Sequence, residues 1–192
     1  MTGRVNINEL IEGLSQGFAE AFTHEQVAEY LMEHHVEEVS LAPYIRFGER
    51  TYTRSLIYKS DDFEAVLLCW EPGQHSPVHR HLRQWGWMTV LQGQLVITTF
   101  IKLRSEIMES EEPDVNWSRV NSIFLKQDHR YTVSAGDVFV EVSPPETIHK
   151  TDNLESLKQP AVSLHICTRP SETSVIYDVE NHRCRTVRMG YV

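Results

Sequence analysis

Apolar residues recur at helical spacing only in the first part of the chain. Between residues 6 and 36, the residues of one stripe fall three or four positions apart: Ile7, Leu10, Ile11, Leu14, Phe18, Ala21 and Phe22. Thr23 and Gln26 then form a capping-box pattern, which predicts that a second helix begins there. The apolar face predicted for that helix comprises Val27, Tyr30 and Leu31. His34 and His35 are predicted to lie near its end, where a cation interacts favourably with the helix dipole.

From about Arg50 the pattern changes to short runs typical of strands, separated by Gly, Pro and Asp. The predicted strands are Thr51–Tyr58, Ala65–Glu71, Trp87–Leu91, Leu95–Leu103, Val120–Leu125, Asp137–Val142, Ala161–Thr168, Ser174–Asp178 and Arg185–Met189. Such a series predicts an all-β barrel or sandwich. We expect one domain over residues 1–192, in which helices from residues 1–40 pack on one side of a barrel built from residues 50–192. The acidic segment Glu109–Asp114 is predicted to be a solvated loop.

Composition and charge narrow the function classes. With 41% hydrophobic and 23% charged residues, the 192-residue chain resembles an ordinary globular protein. Its net charge of -9 argues against nucleic acid or an anionic membrane as the main partner. No apolar run approaches the roughly 20 residues that span a bilayer, and the first ten residues lack the apolar core of a signal peptide. Three cysteines are few and odd in number, which predicts reduced thiols in a cytoplasmic protein.

The candidate chemistry begins with two histidines, His79 and His81, that lie two residues apart ahead of a strand-like run. Residues i and i+2 of a strand point to the same face, so both imidazoles could bind one metal ion. Gly73 and Gly93 bracket this block at positions suited to turns. A histidine pair alone is weak evidence for a metal, and the two glycines strengthen it.

A third histidine, His149, is followed four residues later by Asn153. Here the sequence resembles the cupin superfamily: the histidine pair with its glycines matches the first cupin motif, and His149 with Asn153 matches the second. The carboxylate ligand usual in the first motif falls on Gly86. The resemblance therefore implies three metal ligands, all of them histidines.

Three further blocks make the chain similar to the cysteine dioxygenase family of thiol dioxygenases. They are YTRSLIY at 52–58, LLCWEPGQHSPVHRH at 67–81 and PAVSLHIC at 160–167. This resemblance implies an all-β, jelly-roll-like cupin barrel with N-terminal helices packed on one side. It also implies an Fe²⁺ cofactor, and L-cysteine and O2 as the small molecules bound. The product would be cysteine sulfinic acid, two oxidation steps above the thiol.

The resemblance also implies roles around the metal. Arg54 would bind the substrate carboxylate, since a guanidinium fork matches a carboxylate, and Tyr52 would add a hydrogen bond. Ser163 and His165 match the first two members of the family's Ser-His-Tyr relay. The third position holds Cys167, so a phenol from elsewhere, Tyr177 or Tyr191, is an open alternative.

Other residues near these motifs have simpler interpretations. Gly86 stands where animal members carry the cysteine of a thioether cross-link, so no such link is expected here. His75 is interpreted as a loop residue, and the tryptophans at 70, 85 and 87 as barrel packing.

Three functions fit the sequence. The first is a dioxygenase acting on L-cysteine, and the second is a sister enzyme acting on 3-mercaptopropionate or another thiol acid. Arg54 favours the first, because the mercaptopropionate group usually lacks this arginine. The third is a non-enzymatic metal-binding cupin, which only Cys167 favours. In each case we expect a monomer or weak homo-oligomer with no nucleic-acid or membrane partner.

Overall fold

A computed structural model of the chain describes residues 3–110, 112–114, 116–136, 139–143 and 147–192. In this part of the chain, no helix has the length and apolar character needed to cross a membrane.

Two helices near the start of the chain are fixed by side-chain caps. Helix α1, Ile7–Ala19, begins after Asn6, whose side chain and that of Glu9 form a reciprocal capping box. Helix α2, His24–Glu33, begins after Thr23, and the capping box predicted from the sequence is present. Both helices bury one apolar stripe, as their periodicity predicted.

His34 and His35 lie at the end of α2, as predicted: His34 is the C-cap residue, and its Nδ1 is 2.7 Å from the Tyr30 carbonyl oxygen. They also belong to strand β2, His34–Val36, which pairs in parallel with β1, Gly3–Val5. The apolar stripe of α2 ends at the buried Leu31, and the next positions at helical spacing are the histidines themselves. Extending the helix would therefore bury no further apolar surface, whereas β2 buries Val36.

Eleven further strands are described: β3 Thr53–Lys59, β4 Phe63–Trp70, β5 Val78–His81, β6 Gly86–Gln92, β7 Gln94–Ser105, β8 Ile123–Ser134, β9 Val140–Ser143, β10 Ile148–Asp152, β11 Ala161–Thr168, β12 Thr173–Asp178 and β13 Arg183–Arg188. Short 3₁₀ helices span Glu38–Tyr44 and Glu155–Leu157. A five-stranded sheet has the order β3-β4-β11-β6-β9, and a six-stranded sheet has the order β13-β12-β5-β10-β7-β8. Both sheets are antiparallel throughout the described pairings.

The five-stranded sheet is covered on both faces. One face packs against α1 and α2, where Leu10, Leu14 and Leu31 meet Phe63 and Leu164. The other face packs against the six-stranded sheet. Every residue of β4 is consequently buried, which explains its continuous apolar run. The predicted all-β architecture with helices on one side is confirmed.

Several elements differ from the sequence prediction, and strands β1, β2 and β5 are not among the predicted strands. Strand β8 was predicted to end at Leu125, but it continues to Ser134 through the exposed polar residues 126–130. Those residues pair with β7 through the backbone, which hydrophobic alternation does not reveal. Strand β10 was not predicted at all. The predicted strand at 137–142 begins outside the described residues, and β9 covers the remainder.

The acidic segment is not solvated along its whole length. The Glu109 side chain is only 4% exposed and lies between two cations: Arg80 Nη2 at 2.6 Å and Lys102 Nζ at 2.5 Å. A buried carboxylate needs such partners to offset its desolvation. The expectation of a solvated loop is therefore wrong at Glu109.

Candidate metal and substrate site

The three predicted ligands come from two neighbouring strands. His79 and His81 lie on the same face of β5, and His149 of β10 stands directly opposite His79 in the antiparallel pairing. One ring nitrogen from each histidine lies within 4.8 Å of the other two. The described residues contain no other such cluster of His, Cys, Asp or Glu side chains. His75, interpreted as a loop residue, is exposed and lies outside the cluster.

The three rings are neutral, as metal ligands must be, and the backbone orients His79, whereas Nδ1 of His81 and of His149 has no hydrogen-bond partner among the described residues. Burial lowers the pKa of His79 to about 4, and burial with mutual repulsion lowers those of His81 and His149 well below the usual value. His79 Nδ1 is 3.0 Å from the Pro77 carbonyl, which can only accept, so Nδ1 carries the proton. The lone pair of His79 Nε2 therefore faces His81 Nε2, 3.0 Å away. This separation fits two nitrogens that bind one cation, and the three residues suit a divalent metal.

Glycine is required at two turns, one before the ligand strand β5 and one between β6 and β7. Gly93 has a φ of +73°, and a Cβ there would lie 2.5 Å from the Pro160 carbonyl oxygen. Gly73 has a φ of +83°. Residues other than glycine rarely adopt a positive φ. The two glycines therefore helped to identify the motif around the histidine pair.

Asn153, four residues after His149, has a structural role. Its side chain is buried, and Nδ2 donates to the carbonyls of Trp70 (3.0 Å) and Gln159 (2.9 Å). Trp70 ends β4 in the five-stranded sheet, whereas Asn153 follows β10 in the six-stranded sheet. The second motif therefore contains both a metal ligand, His149, and a residue, Asn153, whose side chain hydrogen-bonds the two sheets together.

The cluster opens into a small cavity of about 40 Å³. Its opposite wall is formed largely by the five-stranded sheet and includes four predicted site residues: Tyr52, Arg54, His165 and Cys167. By the usual measure of roughly 10–15 Å³ per water, this space holds only a few water molecules. The cavity therefore suits a small ligand.

Arg54 has donors available to such a ligand. Its side chain is 18% exposed, and its buried Nε has no hydrogen-bond partner among the described residues. Nη1 donates only to the weak acceptor Sδ of Met189 at 3.4 Å, and Nη2 lies 3.9 Å from Glu64 Oε1, beyond hydrogen-bond distance. Tyr52 stacks on Trp70 with the ring centroids 4.3 Å apart, and burial raises its pKa.

Ser163 and His165 are joined as their alternation predicted. Trp70 Nε1 donates to Ser163 Oγ at 3.0 Å, and we assign the hydroxyl proton to His165 Nε2, 2.9 Å away. Burial, with the nearby Arg54 charge, lowers the pKa of His165 to about 3, so the ring is neutral. Trp70 packs in the core between the two sheets, as predicted, and its indole N–H also takes part in this hydrogen-bond chain. Trp87 is buried beneath the helices, where Trp85 also packs, as predicted.

Cys167 stands directly opposite Gly86 in the pairing of β11 with β6. Burial and the Glu64 charge raise the pKa of Cys167 to about 12, so the group is a thiol rather than a thiolate. Of the two phenols considered from the sequence, neither is among the described residues that line the cavity. Burial and the Glu109 charge raise the pKa of Tyr177, which lies in the network around Glu109. The Tyr191 hydroxyl donates to Glu64.

Sequence reasoning missed Glu64, and it considered Tyr191 only as an alternative phenol for the relay, not as the partner of Glu64. Glu64 carried a usable signal, because it is the one charged residue in the otherwise apolar run Phe63–Trp70. Tyr191 carried none, because its position follows from how the chain continues after β13.

Comparison with known proteins identifies the family. The model of a family described as cysteine dioxygenase type I matches residues 4–180. The chain belongs to this family. Cysteine dioxygenase type 1 from Danio rerio is 24% identical over 187 residues, covering 96% of this chain and 85% of that protein. The protein of the same name from Homo sapiens is 27% identical over 188 residues, covering 95% and 84%.

Among solved structures, a Klebsiella pneumoniae protein with a double-stranded β-helix domain is similar at 17% identity and a TM-score of 0.47. That match covers 72% of this chain and 95% of the other. An RmlC-like cupin protein from Desulfovibrio desulfuricans is similar at 20% identity and a TM-score of 0.41, covering 66% and 90%. These low scores add nothing to the family match. The chain has the expected cupin fold, and three histidines cluster within it.

Proposed function

We propose that this protein is a thiol dioxygenase that oxidises L-cysteine with O2 to cysteine sulfinic acid, using Fe²⁺ held by His79, His81 and His149. The observation that carries the proposal is that this cluster and Arg54 line one small cavity. The reaction is RSH + O2 → RSO2H: the O–O bond breaks, two S–O bonds form, and sulfur loses the four electrons that the oxygens gain. The thiol proton is retained in the sulfinic acid and is released to water at neutral pH.

The ligand set supports an oxidative role for the metal. Iron, when bound, supplies the redox chemistry that allows dioxygen to react with a thiolate. Because the three imidazoles are neutral, they leave the full charge of a divalent ion in place. This charge favours an anionic ligand, and a thiolate is a suitable one.

Arg54 would bind the substrate carboxylate across the cavity. Its unpartnered Nε and its free Nη2 can both donate, which matches the two oxygens of a carboxylate. Tyr52 lies on the same wall and would add a hydrogen bond through its hydroxyl. This arrangement supports L-cysteine as the substrate. Its carboxylate would bind at Arg54, and its thiol at the metal on the opposite side of the small cavity.

Ser163, His165 and Cys167 would position the reacting groups. The Trp70–Ser163–His165 hydrogen-bond chain holds the imidazole in one orientation. Cys167 follows on the same strand face, but a thiol is a far weaker hydrogen-bond donor than the phenol expected at this position. We therefore propose that the relay assists the reaction without being indispensable to it.

The deciding experiment measures oxygen consumption and sulfinate formation by the iron-loaded protein. Cysteine, 3-mercaptopropionate and cysteamine are compared at equal concentrations. Preferential oxidation of cysteine supports the proposal, and preference for 3-mercaptopropionate identifies the sister activity. Absence of sulfinate from every thiol, in protein with a full complement of iron, would leave a non-enzymatic metal-binding cupin.

Two further expectations remain predictions. All three cysteines are free, which supports a cytoplasmic location. A monomer or weak homo-oligomer is expected, and sedimentation at several protein concentrations would test it.

A further inference from the structure

The chain after β13 folds back onto Arg54. Met189 Sδ accepts a hydrogen bond from Arg54 Nη1 at 3.4 Å, and Val192 N donates to the Arg54 carbonyl at 2.9 Å. Between them, the Tyr191 ring lies beside the guanidinium, with Arg54 Cζ 5.5 Å from the ring centroid. This segment follows residue 180, where the match to the family model ends.

A buried carboxylate completes the arrangement. Glu64 lies on β4 two positions before Val66, and therefore on the face that forms the cavity wall. Its side chain is only 1% exposed, and the Tyr191 hydroxyl donates to its Oε2. The other oxygen, Oε1, is 3.9 Å from Arg54 Nη2. Two opposite charges therefore lie side by side in the wall without a hydrogen bond between them.

This separation is unexpected on energetic grounds. A buried carboxylate beside a guanidinium gains most by forming two parallel hydrogen bonds, because the low dielectric strengthens them. Glu64 does not do so, and one of its oxygens is bound to the Tyr191 hydroxyl instead. Arg54 Nε meanwhile has no partner among the described residues. The guanidinium is thus left with donors for a ligand.

We propose that Tyr191 is a positioning residue that holds Glu64 away from Arg54, and thereby keeps the guanidinium open to the carboxylate of a small thiol. The identity of this ligand rests on the function proposed above. Without the Tyr191 hydroxyl, Glu64 turns towards Arg54 and forms the internal ion pair. A substrate carboxylate then has to displace Glu64, so its binding weakens. A thiol without a carboxylate does not use Arg54 and is unaffected.

Cysteine and cysteamine form a matched pair for the test, because they share the thiol and the amine and differ in the carboxylate. The Tyr191→Phe variant retains the ring over Arg54 and loses only the hydroxyl. We expect its KM for cysteine to rise on the order of tenfold, with kcat at saturation within about twofold of wild type. Its KM for cysteamine should not change.

A Glu64→Gln substitution distinguishes the proposed positioning role of Tyr191 from a merely structural role. Glu64→Gln removes the competing charge at nearly constant volume, so the double variant Tyr191→Phe/Glu64→Gln should recover the wild-type KM for cysteine within about twofold. Tyr131→Phe, on the outer part of β8, controls for loss of a phenol elsewhere and should leave both KM values unchanged. Melting temperatures of all variants identify any that fail to fold. If Glu64→Gln is one of them, the cysteine-to-cysteamine ratio of Tyr191→Phe alone decides.

Two results would overturn the proposal. One is an unchanged KM for cysteine in Tyr191→Phe. The other is an equal rise for both thiols that Glu64→Gln does not reverse. If wild-type protein makes no sulfinate, the proposed function fails. The positioning role of Tyr191 is then tested separately, by calorimetry without oxygen, with 3-mercaptopropionate and cysteamine as probes. The positioning role then requires that Tyr191→Phe weaken the binding of 3-mercaptopropionate and leave the binding of cysteamine unchanged.

Discussion

The two sheets supply the cavity in different ways. The six-stranded sheet contributes three identical groups from two adjacent strands, and the pairing of His79 with His149 brings them together directly. The five-stranded sheet contributes unlike groups, Arg54 from β3 and His165 and Cys167 from β11. Their surroundings depend on Trp70, and on Tyr191 more than 100 positions away from Arg54 in the sequence.

This difference separates two kinds of site. The histidine cluster follows from a two-residue spacing and one strand register, so it needs little else to form. The substrate wall is defined by hydrogen bonds and charges between distant side chains, and each group there depends on its neighbours. A single substitution in the histidine cluster of the six-stranded sheet should therefore abolish metal binding and activity. A single substitution in the five-stranded sheet should only reduce substrate binding or activity.

The largest effect is expected at the histidine cluster. His149→Ala removes one of three ligands, so the protein should lose stoichiometric iron and sulfinate formation together. Metal content measured by mass spectrometry after dialysis checks this. The matched control is His75→Ala, which removes an exposed histidine of the same loop region outside the cluster. Full iron content in the His149→Ala protein would show that the ligand assignment is wrong.

A smaller and substrate-selective effect is expected at Arg54. Arg54→Ala leaves the substrate carboxylate without its charged partner, which costs on the order of 2–5 kcal/mol at a buried pair. The cost should appear as a raised KM for cysteine, with iron content unchanged and cysteamine oxidation nearly unaffected. Arg104→Ala, at a largely exposed arginine, is the control. A similar loss with both thiols would contradict the assigned role.

The next effect concerns stability. Ser163→Ala leaves Trp70 Nε1 without its acceptor and His165 without its donor, so we expect a loss of about 1–3 kcal/mol in the free energy of unfolding. Urea unfolding of the metal-free protein measures it. Ser55 is also buried, and its hydroxyl has no partner among the described residues, so Ser55→Ala should be nearly neutral. Equal losses in the two variants would mean that the Trp70–Ser163–His165 chain is not a stabilising unit.

The smallest effect is expected at the facing pair Cys167 and Gly86. With no phenol at 167 and no thiol at 86, no thioether can join these positions, so the purified chain should have the mass of its sequence. Cys167→Tyr restores the stronger donor of the relay and should bring the ratio of sulfinate formed to oxygen consumed closer to one. A wild-type ratio already at one, combined with a slower Cys167→Tyr enzyme, would show that Cys167 is suited to a different substrate.

The sequence predicted the two parts of the site unequally. All three histidines could be found because motif spacing on strands translates directly into a shared face. Arg54, Ser163 and His165 were found through the family resemblance, and the cavity brings Arg54 and His165 to one wall. Glu64 and its contact with Tyr191 were missed because this contact joins β4 to the segment after β13, which no local pattern encodes.

The fold shows the same division. Strand β11 was predicted with its observed bounds, since its apolar run is buried on both faces. Strand β8 was predicted too short, because its exposed polar half is held only by backbone pairing with β7.

The Asn153 side chain has a consequence for engineering this protein. Because its amide links the end of β10 to the carbonyl of Trp70, the span from ligand to substrate wall is determined by a fixed count of residues after His149. Side chains on the wall could then be exchanged for new substrates without moving the metal, provided that this amide and its spacing are kept. Inserting or deleting a single residue between His149 and Asn153 would instead change the distance between the histidine cluster and the facing wall of the five-stranded sheet. The length of thiol acid that fits under the proposed function would change with it.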